Sequence, residues 1–259
     1  MFDSSRFKRA ASLVQASPKG WPDAPLQQDG VHEFYAAKGS AQGLGQEQDS
    51  SAPLALALLC AVQACRAGEP LLWLRLAKGK QAQQRPYAQR PYAPGLVELG
   101  IDPAAMVLMR LPDLQSLLRA GVDCVRHGSA GAVILEMDGR APAFDLTASR
   151  RLTLAAEQSG TMVLIVRSGA DPAPSAAHTR WQVASAPSLP LPANAPGGPV
   201  FDVTLLRQRG GREGLNLQVE WNRERGTFQD PTFGRAPLSG GRPALPAVRT
   251  GDAGRRSAA

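Results

Sequence analysis

The stretch from Gly30 to Gly68 constrains this chain more than any other. Val31-His32-Glu33-Phe34-Tyr35 reads as a buried strand, a Gly/Ser/Gln loop follows it, and an apolar helix begins near Pro53. A strand feeding a glycine-rich loop and then a helix is the frame in which backbone N–H groups cradle nucleotide phosphates. In that frame a Lys pairs with the phosphates and a Ser or Thr hydroxyl holds magnesium. The chemistry requires G-x-x-x-x-G-K-[ST]. Here the loop reads Ala36-Ala37-Lys38-Gly39-Ser40-Ala41-Gln42-Gly43-Leu44-Gly45-Gln46-Glu47, with Lys38 ahead of the glycines. Gly79-Lys80 is followed by Gln81, which has no hydroxyl. The frame is present without its chemistry.

A chain of 259 residues can bury a substantial core, in one large domain or two small ones. Its formal charge of +7 and pI near 9.8 suit acidic partners such as nucleic acid. From Arg235 onward, Arg235, Arg242, Arg249, Arg255 and Arg256 face one acid, Asp252, so +4 of that +7 lies at the end of the chain. Cys60, Cys65 and Cys124 lack metal-ligand spacing, and with only His32, His127 and His178 no metal constellation can be drawn. Free, buried thiols suit a reducing cytoplasm. No signal-peptide core opens the sequence, and the apolar run Pro53 to Val62 is too short to span a bilayer. The expectation is a soluble cytoplasmic protein.

Residues 3–16 read as an amphipathic helix, with Phe7, Ala11 and Val14 on one face at i, i+4, i+7 and basic residues around them. Pro18, Pro22 and Pro25 then tether it outside the core, either as a docking arm or as a helix packed on its own domain. Leu54 to Cys65 is apolar nearly all round, which predicts a helix buried on most faces, with Gly68 as its stop. Leu71–Leu76, Met106–Arg110, Ala132–Asp138, Thr161–Arg167 and Thr179–Ala184 have strand length. Between the first two, Arg-Pro-Tyr-Ala occurs at 85–88 and 90–93, as a stacking surface for single-stranded bases or as a duplicated loop. Pro112 to His127 reads as a helix presenting Leu114, Leu117, Leu118, Gly121 and Val125. A second helix opens at Leu146 with Asp145 or Thr147 as its cap and ends at Gly160. Its inner stripe is Leu152, Ala155, Ala156 and Ser159. Ala132–Asp138 ends in acids, either a magnesium-binding carboxylate or simply a buried strand emerging from a sheet.

Val200–Gln208 and Leu215–Asn222 flank Gly210 to Gly214 as a hairpin, and Leu215, Leu217, Val219 and Trp221 alternate with polar residues. Strands alternating with helices before an antiparallel hairpin predict an α/β fold with a mixed, mostly parallel sheet. Three regions follow: an N-terminal helical arm and Pro-rich linker over 1–27, a core domain over 28–225, and a disordered basic tail over 226–259.

Five segments carry a family resemblance. They are Gly30-Val31-His32-Glu33, Tyr92 to Pro103 (Tyr-Ala-Pro-Gly-Leu-Val-Glu-Leu-Gly-Ile-Asp-Pro), Asp145 to Leu152 (Asp-Leu-Thr-Ala-Ser-Arg-Arg-Leu), Thr179-Arg180-Trp181 and Arg209-Gly210-Gly211-Arg212. Together they resemble the core of RecA-like recombinases and, within that group, the ImuA family, over about 28–225. The resemblance implies a RecA-like sheet with a degenerate P-loop. On RecA's pattern Glu136 takes the position of the magnesium-associated Asp, and the second strand, ending in Arg75, lacks RecA's catalytic Glu. The implied protein is no enzyme, with no catalytic, cofactor-binding or metal residues, although weak nucleotide binding stays open.

The implied function is a scaffold in SOS-induced translesion DNA synthesis. It would recruit an ImuB-type Y-family polymerase homologue and an error-prone polymerase to damaged DNA, in the cytoplasm at the nucleoid. RecA is a further expected partner, and self-association is expected too. Phe7, Ala11 and Val14 are the expected partner-binding face of the arm, and Arg235, Arg242, Arg249, Arg255 and Arg256 the expected DNA contact of the tail. Two alternatives remain: a SulA-like inhibitor binding a tubulin-like GTPase, and a RecA paralogue that binds nucleotide weakly.

Overall fold

A computed structural model describes residues 26, 29–37, 51–66, 68–77, 91–191, 193, 195, 197–211 and 213–231. The arm stripe Phe7, Ala11 and Val14, the loop over 38–50, the tract over 78–90 and the arginines from Arg235 to Arg256 lie outside the described residues.

Among the described residues nine strands form one sheet: β1 (Val31–Ala36), β2 (Leu71–Leu76), β3 (Met106–Leu111), β4 (Ala132–Asp138), β5 (Met162–Ser168), β6 (Thr179–Ala186), β7 (Val200–Gln208), β8 (Leu215–Asn222) and β9 (Thr227–Gln229). Their order is β3-β2-β4-β5-β1-β6-β7-β8-β9. From β3 to β6 every pairing is parallel, and from β6 to β9 every pairing is antiparallel. This is the expected fold class: a mixed, mostly parallel sheet flanked by helices, ending in an antiparallel hairpin. The central strands β1, β4 and β5 are buried along nearly their whole length because helices cover both of their faces, and β4 and β5 are apolar for most of it.

Helix α1 (Ala52–Ala64) lies on one face against β4, β5, β1 and β6. Leu56 to Ala61 are all buried, as a helix without a polar side must be. It ends at Ala64 with Cys65 already extended, short of the expected stop at Gly68, whose φ of +86° belongs to the turn into β2. The same face holds Leu96 of the short helix α2 (Ala93–Glu98).

The opposite face is covered by α3 (Leu114–His127) and α4 (Leu146–Ser159). Asp113 accepts from the Ser116 N–H and Asp145 from the Ala148 N–H, each at 2.7 Å, so Asp145, not Thr147, caps α4. Left-handed Gly128 and Gly160 end the two helices. Along α4 the buried residues are Ser149, Leu152, Thr153, Ala155 and Ala156, while Ser159 of the expected stripe is half-buried. Ser149 and Thr153 are tolerated inside because each bonds a backbone group of residue 176: Ala176 N–H donates to Ser149 Oγ at 3.0 Å, and Thr153 Oγ1 donates to the Ala176 carbonyl at 3.2 Å.

The C-terminal boundary differs from expectation. Thr227–Gln229, placed in the tail by the sequence, form β9 against β8. Phe228 is 3 % exposed and packs edge-on to Trp221, ring centroids 5.0 Å apart, and Gln63 of α1 donates to Thr227 Oγ1 at 3.2 Å. Burying one Phe contributes about 1.5–3 kcal/mol, enough to order a three-residue strand that is too short to show any periodicity. All three cysteines are free. Burial pushes up the thiols of Cys60 and Cys124, and that of Cys65 to about 11 with help from the charge of Glu69. None is a thiolate near neutrality.

Candidate functional site

In a parallel sheet, ligands gather in the crevice outside the carboxyl ends of the strands, where successive connections depart in opposite directions. Here that point is β1. Its own crossover through α1 leads to β2 on one side, while the chain leaving β5 passes to β6 on the other. The strand–loop–helix frame therefore sits where a nucleotide would be held, with Pro53 in the first turn of α1.

Beside it, facing α1, β2 and β4 bring four side chains together. Arg75 stands directly across from Glu136 in the register, and Trp73 across from Ile134. An Arg75 guanidinium nitrogen lies 3.4 Å from Glu136 Oε1, and Trp73 Nε1 donates to Glu136 Oε2 at 2.9 Å. The guanidinium sits 5.5 Å from the Trp73 ring centroid. Burial pushes the Glu136 carboxyl up, with Arg75 pulling it down and Asp138 adding to the rise. The Asp138 carboxyl also rises through burial, against the pull of Arg75, and its buried Oδ1 has no hydrogen-bond partner.

Magnesium and nucleotide phosphates do not fit these residues together. A metal-binding carboxylate needs an oxygen lone pair facing an open position, without a neighbouring cation. Each oxygen of Glu136 instead meets a protein nitrogen, and Arg75 puts a fixed positive charge where the metal would approach. Among the described residues no group of three or more His, Cys, Asp or Glu is placed to hold a metal. The strand composition already hinted at this arrangement, since Arg75 ends one apolar strand and Glu136 ends another. Trp73, which orients the acid, gave no such signal.

The other face of the sheet carries a second buried acid. Glu33 of β1 is fully buried; Arg180 Nε of β6 donates to its Oε2 at 3.0 Å, and the Tyr35 hydroxyl donates to the same oxygen at 3.1 Å. Arg180 also donates to Ser175 Oγ at 2.8 Å. Burial, then the Glu33 charge, pushes the Tyr35 phenol up to about 12. Nearby, Thr179 Oγ1 lies 2.7 Å from His32 Nδ1 and accepts from Trp181 Nε1 at 2.7 Å. Glu157 of α4 meets both His178, at 3.3 Å, and Arg209, at 3.0 Å. The segments Gly30–Glu33, Thr179–Trp181 and the one opening at Arg209 thus adjoin along β1 and β6 in three separate sets of contacts, with Thr179 and Trp181 on the α1 face.

Protein ImuA from two strains of Caulobacter vibrioides (NA1000 / CB15N and ATCC 19089 / CIP 103742 / CB 15) is 37% identical to this chain over 134 residues, 48% of the chain and 53% of each relative. The match supports an ImuA family assignment. The chain spans about half the length of the curated ImuA relatives it matches. No family model matches the chain. Among solved structures, the crystal structure of the RadB recombinase overlaps 78% of this chain and 90% of its own, at 13% sequence identity and a TM-score of 0.47.

Proposed function

We propose that this chain is a non-catalytic, RecA-like accessory protein of damage-induced mutagenesis. It acts as a scaffold that brings an ImuB-type Y-family homologue and an error-prone polymerase to damaged DNA. The similarity to ImuA favours that setting. The observation that favours the non-catalytic part is Arg75 held against Glu136, a protein cation on the carboxylate that RecA's pattern would give to magnesium. Phosphoryl transfer is catalysed almost wholly by positioning and charge stabilisation, so a site without the loop Lys and a free acid has little left to contribute.

The distribution of charge supports a separate role for the ends of the chain. The described fold has fourteen arginines and no lysine against seventeen carboxylates, a balance of −3, and the remaining residues have fifteen basic and five acidic side chains, +10. The basic excess is therefore held entirely outside the described fold. In this reading the tail arginines from Arg235 to Arg256 contact DNA, and the stripe of Phe7, Ala11 and Val14 docks a partner or a second copy.

The deciding experiment is affinity capture with the full chain from DNA-damaged cells. Recovery of the polymerase homologue and the error-prone polymerase is expected. Recovery of a tubulin-like division GTPase in their place would overturn the scaffold reading in favour of the SulA-like one. No helix of the described residues is long and apolar enough to cross a membrane, so a soluble lysate is the natural starting material.

A further inference from the structure

We infer that the groove between α3 and α4 is a docking site for an extended, acidic segment of a partner protein that carries apolar side chains between its carboxylates. The groove has a volume of about 520 Å³. Leu118, Val122, Ala143 and Ala148 give it an apolar floor, and Arg119, Arg126 and Arg151 surround them, with Asp123 as the one acid in the lining. Three guanidiniums against one carboxylate gather on a fold whose own balance is −3. No ion pair among the described residues engages Arg126 or Arg151.

The arrangement follows from helix geometry. Gln115, Arg119, Val122 and Arg126 recur at i, i+4, i+7 and i+11 along one side of α3, so arginines alternate with an apolar position. Arg119 and Arg126 are separated by about 10.5 Å along the helix at a rise of 1.5 Å per residue. A peptide in polyproline II conformation has three residues per turn and rises about 3.1 Å per residue. Carboxylates at i and i+3 would then stand on one side, about 9.3 Å apart, near the two guanidiniums, with an intervening apolar residue turned toward the floor.

Two observations favour a protein over nucleic acid at this surface, and a third favours another chain over this one. Among the described residues no aromatic ring lines the groove, whereas single-strand sites combine basic grooves with stacking platforms. The cations lining the groove among the described residues are all arginine, a residue enriched at protein interfaces, and they surround an apolar floor. The chain's own longer segments outside the described residues cannot occupy it favourably. Residues 1–25 have four basic and two acidic side chains, residues 78–90 four and none, and residues 232–259 five and one. Residues 38–50 have one basic and two acidic side chains, but they lead into α1, which covers the sheet face away from α3 and α4. The occupant is therefore an acidic segment of another protein, and the surface stands whichever protein the arm and tail engage.

The test measures binding of the full chain to a fluorescent peptide repeating Glu-Leu-Ser, to its Gln-Leu-Ser counterpart and to an oligothymidine of equal charge. The groove variant is Arg119→Glu, Arg126→Glu, Arg151→Glu. The comparator carries the same charge change in the tail: Arg242→Glu, Arg249→Glu, Arg255→Glu. The expected result is binding of the acidic peptide only, weakened about tenfold or more by the groove variant and less than about threefold by the tail variant. Arg→Gln at the same three groove positions reproduces the loss if the charge reversal disturbs folding. Failure of the acidic peptide to bind, equal loss in groove and tail variants, or an oligothymidine loss in the groove variant as large as the peptide's would each overturn the assignment.

Discussion

Glu33 and Glu136 are both acids of central parallel strands, both held by an arginine, and they lie on opposite faces of one sheet. The first pair is sealed. Glu33 is fully buried, the Arg180 side chain is 11% exposed, and a tyrosine and a serine complete the set. The second lies at the carboxyl ends of β2 and β4, with the Arg75 side chain 15% exposed and a longer separation, 3.4 Å against 3.0 Å. The sealed pair joins β1 to β6, where the chain leaves the central parallel strands for the antiparallel edge, and it has no route to a ligand. The open pair occupies the place where nucleotide chemistry would need a bare carboxylate. The two pairs share their chemistry and differ in where the sheet puts them, one sealed within it and one at the carboxyl ends of its parallel strands.

The sharpest way to break this comparison is Arg180→Leu. Removing one partner of a buried ion pair costs about 3–5 kcal/mol because the other charge is stranded. Oε1 of Glu33 already lacks a hydrogen-bond partner, so little remains to compensate. A urea midpoint that moves by less than the equivalent of about 1 kcal/mol would show that the Glu33–Arg180 pair does not anchor β1 to β6.

Tyr35 sharpens the same side. An unfolded tyrosine ionises at 10.0, while burial first, and the Glu33 charge second, hold the folded phenol neutral until about 12. The unfolded state therefore releases its proton earlier, so stability is lost as pH rises through that window, by about 2–3 kcal/mol if the whole shift is realised. In Tyr35→Phe that part of the alkaline decline should vanish. Equal slopes for the two proteins, read from denaturation midpoints across the window, would remove the phenol from the network.

Arg75→Leu tests the open side and should cost less, about 1–2 kcal/mol near neutrality, because Glu136 keeps the Trp73 N–H. Burial already raises the Glu136 carboxyl above its ordinary 4.5, and losing Arg75 raises it further. For an acid raised in the folded state, stability is fully present below the unfolded value and is lost as pH rises through the folded one. The variant should thus lose more stability than the parent between acidic and neutral pH. A loss equal to that of Arg180→Leu would mean that the two pairs do not differ in kind.

These contrasts define what the sequence could convey. The strands from β1 to β8, the helices α3 and α4, and the Gly160 stop were legible because apolar runs and terminal glycines act locally, while Asp145 was one of two candidate caps and Asp113 was not singled out. The absent Gly-Lys-[ST] was legible for the same reason. The Glu33–Arg180 pair spans 147 residues, and no local pattern links its members. Arg75 and Glu136 were each visible, but their adjacency depends on β2 and β4 being neighbours, a property of strand order. β9 was hidden because three residues cannot display a period, and Phe228 gains its burial only from Trp221. The groove arginines were obscured by the tail: summed over the chain, charge pointed to Arg235–Arg256, although Arg119, Arg126 and Arg151 are brought together only by the packing of α3 on α4.

The smallest expected effect is none at all, in ATP turnover. The parent chain should show no steady-state hydrolysis above background, with or without single-stranded DNA. Arg75→Leu should show none either, and that second result is the more informative. It would free Glu136 from its cation, yet the loop from Ala36 to Glu47 would still lack a Lys after its glycines and the hydroxyl that follows it. Without them the phosphates lose their main charge partner and magnesium loses a protein ligand. An acid alone cannot replace both. Turnover in the parent that is stimulated by single-stranded DNA and lost in Glu136→Gln would make the open pair a working site, with Arg75 a gate that moves aside. The contrast between the two faces would then be one between structure and catalysis.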